Sequence, residues 1–191
     1  TDDPLETTAA WNREVQDPEE LSTVLDRWLA YYEEQSIEKI SYGALVLRRR
    51  TGDNWVRTAE APRSGINRAG PHLERLFSAQ DLLRDRDDES LLSHRFRFHE
   101  SARLTHGLRP RSAGWSLESA ELSLDTGLGF RAGLDEATGE IAVRLDPALP
   151  LEEVLAAAAQ ALGVDAERLQ TVGVGLVRQL IEFGYVIPAD E

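Results

Sequence analysis

With 191 residues, 41% of them hydrophobic and 29% charged, the chain has the composition of a soluble globular protein, and no apolar run approaches the ~20 residues that a membrane helix needs. A net charge of −13 argues against a general nucleic-acid-binding module, since phosphate neutralisation drives such binding, and the lack of cysteine excludes disulfides and thiolate metal sites. The length suits one substantial core or two small ones; two are expected, and with no secretory signal in view the expected location is cytoplasmic.

The first strong signal in chain order is a helix start. Asp17 can accept hydrogen bonds from free backbone N–H groups, Pro18 suits the first helical position, and Glu20 sits where a capping box puts an acid. Leu21, Val24, Leu25, Trp28, Tyr31 and Tyr32 then recur at helical spacing against a polar face carrying Glu19, Asp26, Arg27 and Glu33. Residues 41–47 follow as a strand, with Tyr42, Ala44 and Val46 on one face and Gly43, Leu45 and Leu47 on the other. Neither face reads as solvent-exposed, so the strand is expected to lie inside a sheet. Residues 51–54 have turn chemistry and residues 55–58 read as a return strand, completing an antiparallel pair. The few residues before this pair cannot supply the neighbours that such a strand wants. The chain therefore reads as part of something larger, as does the absence of methionine, although loss of modified methionines from the sequence would also explain that absence.

The segment Trp11, Asn12, Arg13, Glu14, Val15, Gln16, Asp17, Pro18, followed by Trp28, Leu29, Ala30, Tyr31, Tyr32, then Ile37, Glu38, Lys39, Ile40 and the strand from Tyr42 to Arg49, carries a resemblance. It resembles the end of the catalytic domain in a group of actinobacterial class I S-adenosylmethionine-dependent methyltransferases, whose core is similar to that of the release-factor glutamine and ribosomal-RNA guanine methyltransferases. The resemblance implies a parallel sheet closed by a helix and an antiparallel last pair of strands, and it extends more loosely over the rest as the C-terminal extension of such proteins. It implies methyl transfer to a nitrogen of RNA or protein, with S-adenosylmethionine held by a missing N-terminal methyltransferase core. The glycine-rich turn, the acid ending the second strand and the Pro-Pro-Tyr-like motif of such enzymes are not in this chain, so no catalytic or cofactor residue is carried over. The closely spaced glycine pairs, Gly127 with Gly129 and Gly173 with Gly175, lie in a strand-rich region and inside a helical pattern; they read as a bulge and as close helix packing.

Residues 59–71 have linker composition, placing the boundary between residues 1–62 and residues 63–191. Residues 72–83 read as a short helix with Leu73, Leu76, Phe77 and Leu83 inward, and residues 87–93 as a second anchored by Leu91 and Leu92. From Arg95 the period changes to strand alternation; residues 117–124 and 141–145 are further strands, with residues 135–140 as a hairpin loop before the last. The end is two helices and a strand. Leu151, Val154, Leu155, Ala158 and Leu162 mark one face, closed by Gly163; Asp165 caps the next, with Leu169, Val172, Leu176, Leu180 and Phe183 inward, closed by Gly184 before residues 185–187. This order makes residues 146–188 winged-helix-like. Yet the second helix sets only Arg168 and Arg178 against Glu167 and Glu182, fewer basic groups than a groove-reading helix presents.

The fold class expected is α+β: an α/β remnant ending a methyltransferase sheet, then an α+β extension. His94, His99, Glu100 and His106 do not make a metal site by spacing, because His94 and His99 fall on opposite faces of a strand; no metal and no membrane partner is expected. The candidate substrate contacts are Arg48, Arg49, Arg50, Arg95 and Arg97, with Arg57 and Arg103 nearby in sequence. These groups either neutralise neighbouring carboxylates or receive a phosphate backbone. The expected partners are the missing core and an RNA or protein substrate; the alternative is a non-enzymatic protein-interaction module with an acidic surface.

Overall fold

The computed structural model describes residues 2–60, 68–111 and 114–190. The architecture is mixed α+β, with seven helices and two small antiparallel sheets among those residues, divided into two compact units, Thr1–Val56 and Arg57–Glu191. The expected boundary at 62/63 lies outside the described residues. No helix among them is long and apolar enough to cross a membrane.

The first unit holds α1 (Pro4–Trp11) and α2 (Pro18–Glu34). Each starts as its sequence dictates. Asp3 and Asp17 accept from the backbone N–H groups two and three residues on, and a proline occupies the first helical position of each. The Thr8 hydroxyl lies 3.3 Å from the Tyr32 hydroxyl, and a single bridge pairs Asp2 with Ile40. Tyr32 is the one buried residue of α2; Leu21, Val24, Leu25 and Trp28 are only half covered.

The expected strand pair at 41–47 and 55–58 is not formed: residues 41–60 have no strand pairing, and Leu45 and Leu47 are 84% and 81% exposed. The physical reason lies in the pattern itself. A strand apolar on both faces is stable only with ladder partners and cover on each side, and the described residues of this unit supply the Asp2 bridge alone.

The second unit is a closed core. It runs α3 (Ala69–Asp85), α4 (Asp88–Ser93), β1 (Phe96–Phe98), β2 (Ala102–Arg111), β3 (Gly114–Leu124), β4 (Arg131–Leu134), α5 (Glu136–Arg144), α6 (Leu151–Leu162), α7 (Ala166–Glu182) and β5 (Val186–Pro188). Strands β2, β3 and β4 form an antiparallel meander, while β1 pairs with β5, setting Arg97 opposite Ile187. Leu91, Leu122, Ile141, Leu155, Val177 and Ile181 are essentially inaccessible and join the helices to the sheet in one cluster.

Three expectations in this unit are corrected. Residues 136–144 are a helix and not a hairpin loop with a strand: Asp135 caps it by accepting from the Thr138 N–H at 2.7 Å, and Thr138, Ile141 and Ala142 share its buried face. The Thr138 bonds hold the Asp135 carboxyl below the usual carboxylate range. In α7 the inward stripe is Leu169, Gly173, Val174, Val177, Leu180 and Ile181, whereas Val172 is 60% exposed. Gly173 rotates the stripe: a Cβ there would lie 2.5 Å from Leu155 Cδ2, so the absent side chain lets α6 and α7 close on each other. Lastly, Gly127 and Gly129 are no strand bulge; both have positive φ, +94° and +66°, in the turn between β3 and β4.

Candidate functional site

His72, fully buried on α3, ties three parts of the second unit together. Its Nδ1 accepts from the Leu128 N–H at 3.0 Å, which places the ring proton on Nε2, and Nε2 donates to the Phe183 carbonyl at 3.0 Å. Phe130 meets the ring edge-on at 5.1 Å. Gly127 and Gly184 lie against the same ring, where a Cβ would approach to 2.5 Å and 3.0 Å. Gly184, at φ +73°, also ends α7, since its own N–H reaches the Ile181 carbonyl and the Tyr185 N–H the Leu180 carbonyl. Burial above all lowers the His72 pKa, outweighing the Phe183 bond.

This fixed geometry sets the next turn of α3, and Arg75 with it, beside the end of α7. A cleft of about 540 Å³ opens there, lined from α3 by Glu74, Arg75 and Leu82, from β1 and the turn after it by Arg97, His99 and Glu100, and from the end of α7 and β5 by Ile181, Gly184 and Ile187. Within it Arg75 Nε and Nη2 are buried and have no hydrogen-bond partner among the described residues. Burial pushes the guanidinium pKa down, with Glu100 acting the other way. An unpaired buried donor costs about 1–3 kcal/mol, more when charged, so a guanidinium left this way is a site of stored binding energy. His99 Nδ1 accepts from the Ser101 N–H at 3.1 Å and lies 2.7 Å from the Ser101 hydroxyl, so its proton sits on Nε2. Burial, then Arg75, lowers its pKa and favours that neutral donor form. Chemically, the cleft can bind an anion.

A larger cleft of about 800 Å³ lies beside β4 and α7. Its one cation among the described residues, Arg131, is already paired with Glu121 at 3.0 Å. The Tyr185 hydroxyl, also on this cleft, is buried without a partner among the described residues, and burial followed by Glu121 pushes its pKa up to about 12. The smaller cleft has the sharper chemistry.

The arginines singled out from sequence are distributed differently from expectation. Arg48, Arg49 and Arg50 belong to the first unit, on its unpaired segment, with Arg50 Nε donating to the Thr51 carbonyl at 3.2 Å. Arg95 and Arg97 belong to the second: Arg95 Nε donates to the Ala148 carbonyl at 3.2 Å, tying down the loop before α6, and Arg97 alone of the five reaches the cleft. Arg57 donates to the Glu182 carbonyl at 2.6 Å and stacks 4.2 Å over Phe183, while Arg103 pairs with Asp125 at 2.5 Å. These two serve internal neutralisation and packing. His94 is used locally, its Nδ1 2.6 Å from the Ser90 carbonyl, and among the described residues no three His, Cys, Asp or Glu side chains gather as metal ligands.

Arg75, His99 and Glu100 together were not foreseen. The one sequence signal for Arg75 was a cation three residues after His72 and four before Ala79, beside the face that α3 buries.

The second unit is thus a small α+β domain with an anion-competent cleft between its first helix and its terminal strand pair. The chain belongs to the family described as a domain of unknown function (DUF7782), whose model matches residues 74–188. That span takes in Arg75, the turn carrying His99 and the whole of β5. No match was found among curated proteins.

Proposed function

We propose that this chain is the C-terminal part of a cytoplasmic S-adenosylmethionine-dependent methyltransferase acting on a nitrogen of RNA or protein. The first unit completes the catalytic sheet, and the second is an accessory domain that orients the substrate. The observation that supports this is the uncovered apolar surface of the first unit. Leu45, Leu47 and Val56 are 84%, 81% and 90% exposed and the α2 stripe is only half covered, in a stretch whose residues resemble the closing helix and strands of such an enzyme. Exposed apolar side chains in such number suit a place of association. In this reading a catalytic core provides the missing sheet neighbours.

The cofactor belongs to that core. One glycine of each pair is taken up by a protein contact, Gly173 with Leu155 and Gly127 with His72, which weighs against either pair as a backbone cradle for a nucleoside. The order α6, turn, α7, β5 supports a winged-helix-like end at 146–188, used for packing or protein contact: Arg178 is spent internally, on Asp88 at 2.7 Å and on the carbonyls of Leu83 and Arg86. An approaching polyanion would also meet the net charge of −13.

The test is to purify the protein from its native source, incubate it with isotopically labelled S-adenosylmethionine and candidate RNAs and proteins, and locate label by mass spectrometry. Label on a substrate nitrogen supports the proposal. A native protein no longer than this chain that transfers no label would leave the alternative, a non-enzymatic interaction module with an acidic surface.

A further inference from the structure

We propose that the cleft beside Arg75 is a binding site for a monocarboxylate carried on a short apolar body. Arg75 Nε–H and Nη2–H project in parallel from one edge of the guanidinium, the pair that meets both oxygens of a single carboxylate, and both are buried and unpartnered among the described residues. Gly184 lies beside that edge, where a Cβ would come into van der Waals contact with Nε at 3.6 Å. His99, with its proton on Nε2, adds a neutral donor to the same cleft.

The remaining lining decides between anions. Leu82, Ile181, Val186 and Ile187 give the cleft an apolar wall that a bare inorganic ion would leave unused, and a volume of about 540 Å³ falls within the range of small-molecule sites. Glu74 and Glu100 also line it, two carboxylates against one further cation, Arg97. A phosphate ester, close to doubly charged at neutral pH, would meet repulsion from both carboxylates, whereas a single carboxylate meets about half of it. Binding here does not depend on the methyl-transfer reading, because every residue involved belongs to the second unit.

The experiment is isothermal titration of the full chain with hexanoate, with hexanol as the same apolar body lacking the charge, and with inorganic phosphate. Saturable binding of hexanoate is expected, with hexanol and phosphate both weaker. Arg75→Gln, and Arg75→Lys, which keeps the charge but loses the fork, should each weaken hexanoate by about ten- to a hundredfold. Arg103→Gln, outside the cleft, should leave it unchanged. Should the Arg75 variants fail to fold, the unaltered chain still decides: hexanoate must shift the Arg75 Nε–H resonance in a nitrogen-15 spectrum. Equal binding of hexanol, tighter binding of phosphate, no saturable binding at millimolar hexanoate, or an unmoved Arg75 resonance would each overturn the proposal.

Discussion

Helices α2 and α7 are both 17 residues long and both start on an aspartate whose side chain caps the backbone, yet α2 buries Tyr32 alone while α7 buries six residues. The difference is not in the helices. Each carries an apolar stripe, but α7 has α6, α3, α4, α5 and β5 against it, and α2 has α1 and a segment that forms no ladder. Amphipathicity states that a face must be covered; it does not supply the cover. The comparison teaches that capping and periodicity make a helix, whereas its contribution to stability comes from what packs against it.

Substitutions should separate the two units sharply. The largest effect is expected for Leu155→Ala, which empties the seat of Gly173 between α6 and α7 and should cost about 2–5 kcal/mol by urea unfolding. Gly127→Ala should cost about 1–3 kcal/mol, because its φ of +94° and its contact with His72 both resist a Cβ. Acid should act on the second unit next. The His72 and His99 pKa values are lowered in the folded state, so the unfolded chain binds more protons as pH falls below the ordinary value of 6.5. Their contribution to stability is therefore full above about pH 6.5 and is lost progressively as pH drops through the lowered folded values. The urea midpoint should be flat above neutrality and decline below it, and the decline should persist in His99→Gln because His72 remains. The smallest effect is expected for Leu45→Asp, within about 0.5 kcal/mol in this chain, since Leu45 is 84% exposed. A loss of several kcal/mol there would mean that the segment is buried and the contrast between the units false.

What was legible in the sequence was what local chemistry decides. Asp17 with Pro18, Asp87, Asp165, and the glycines at 163 and 184 marked helix ends that the structure places within a residue or two, because caps act on their own backbone neighbours. Alternation misled at Ile141, Val143 and Leu145, which fit a strand as well as a helix; the Asp135 cap decided the matter. The stripe of α7 was displaced because Gly173 counts as a gap in an apolar pattern although it is a contact. At residues 41–47 the pattern, apolar on both faces, led to an interior strand that is not formed, because pairing requires a partner that local pattern cannot provide. The candidate site was the least legible part. Arg97 alone was anticipated, since Arg75, His99 and Gly184 come together only through the packing of α3 on α7 and the pairing of β1 with β5.

The central claim, that the first unit is the closing edge of a larger sheet, is tested most directly by hydrogen exchange at the backbone amides of residues 41–47 in two samples: this chain alone, and the protein purified from its native source. The account predicts rapid exchange in the isolated chain, where these amides have no ladder partners, and strong protection in the native protein, where a core pairs with them. Equally rapid exchange in both samples would contradict it.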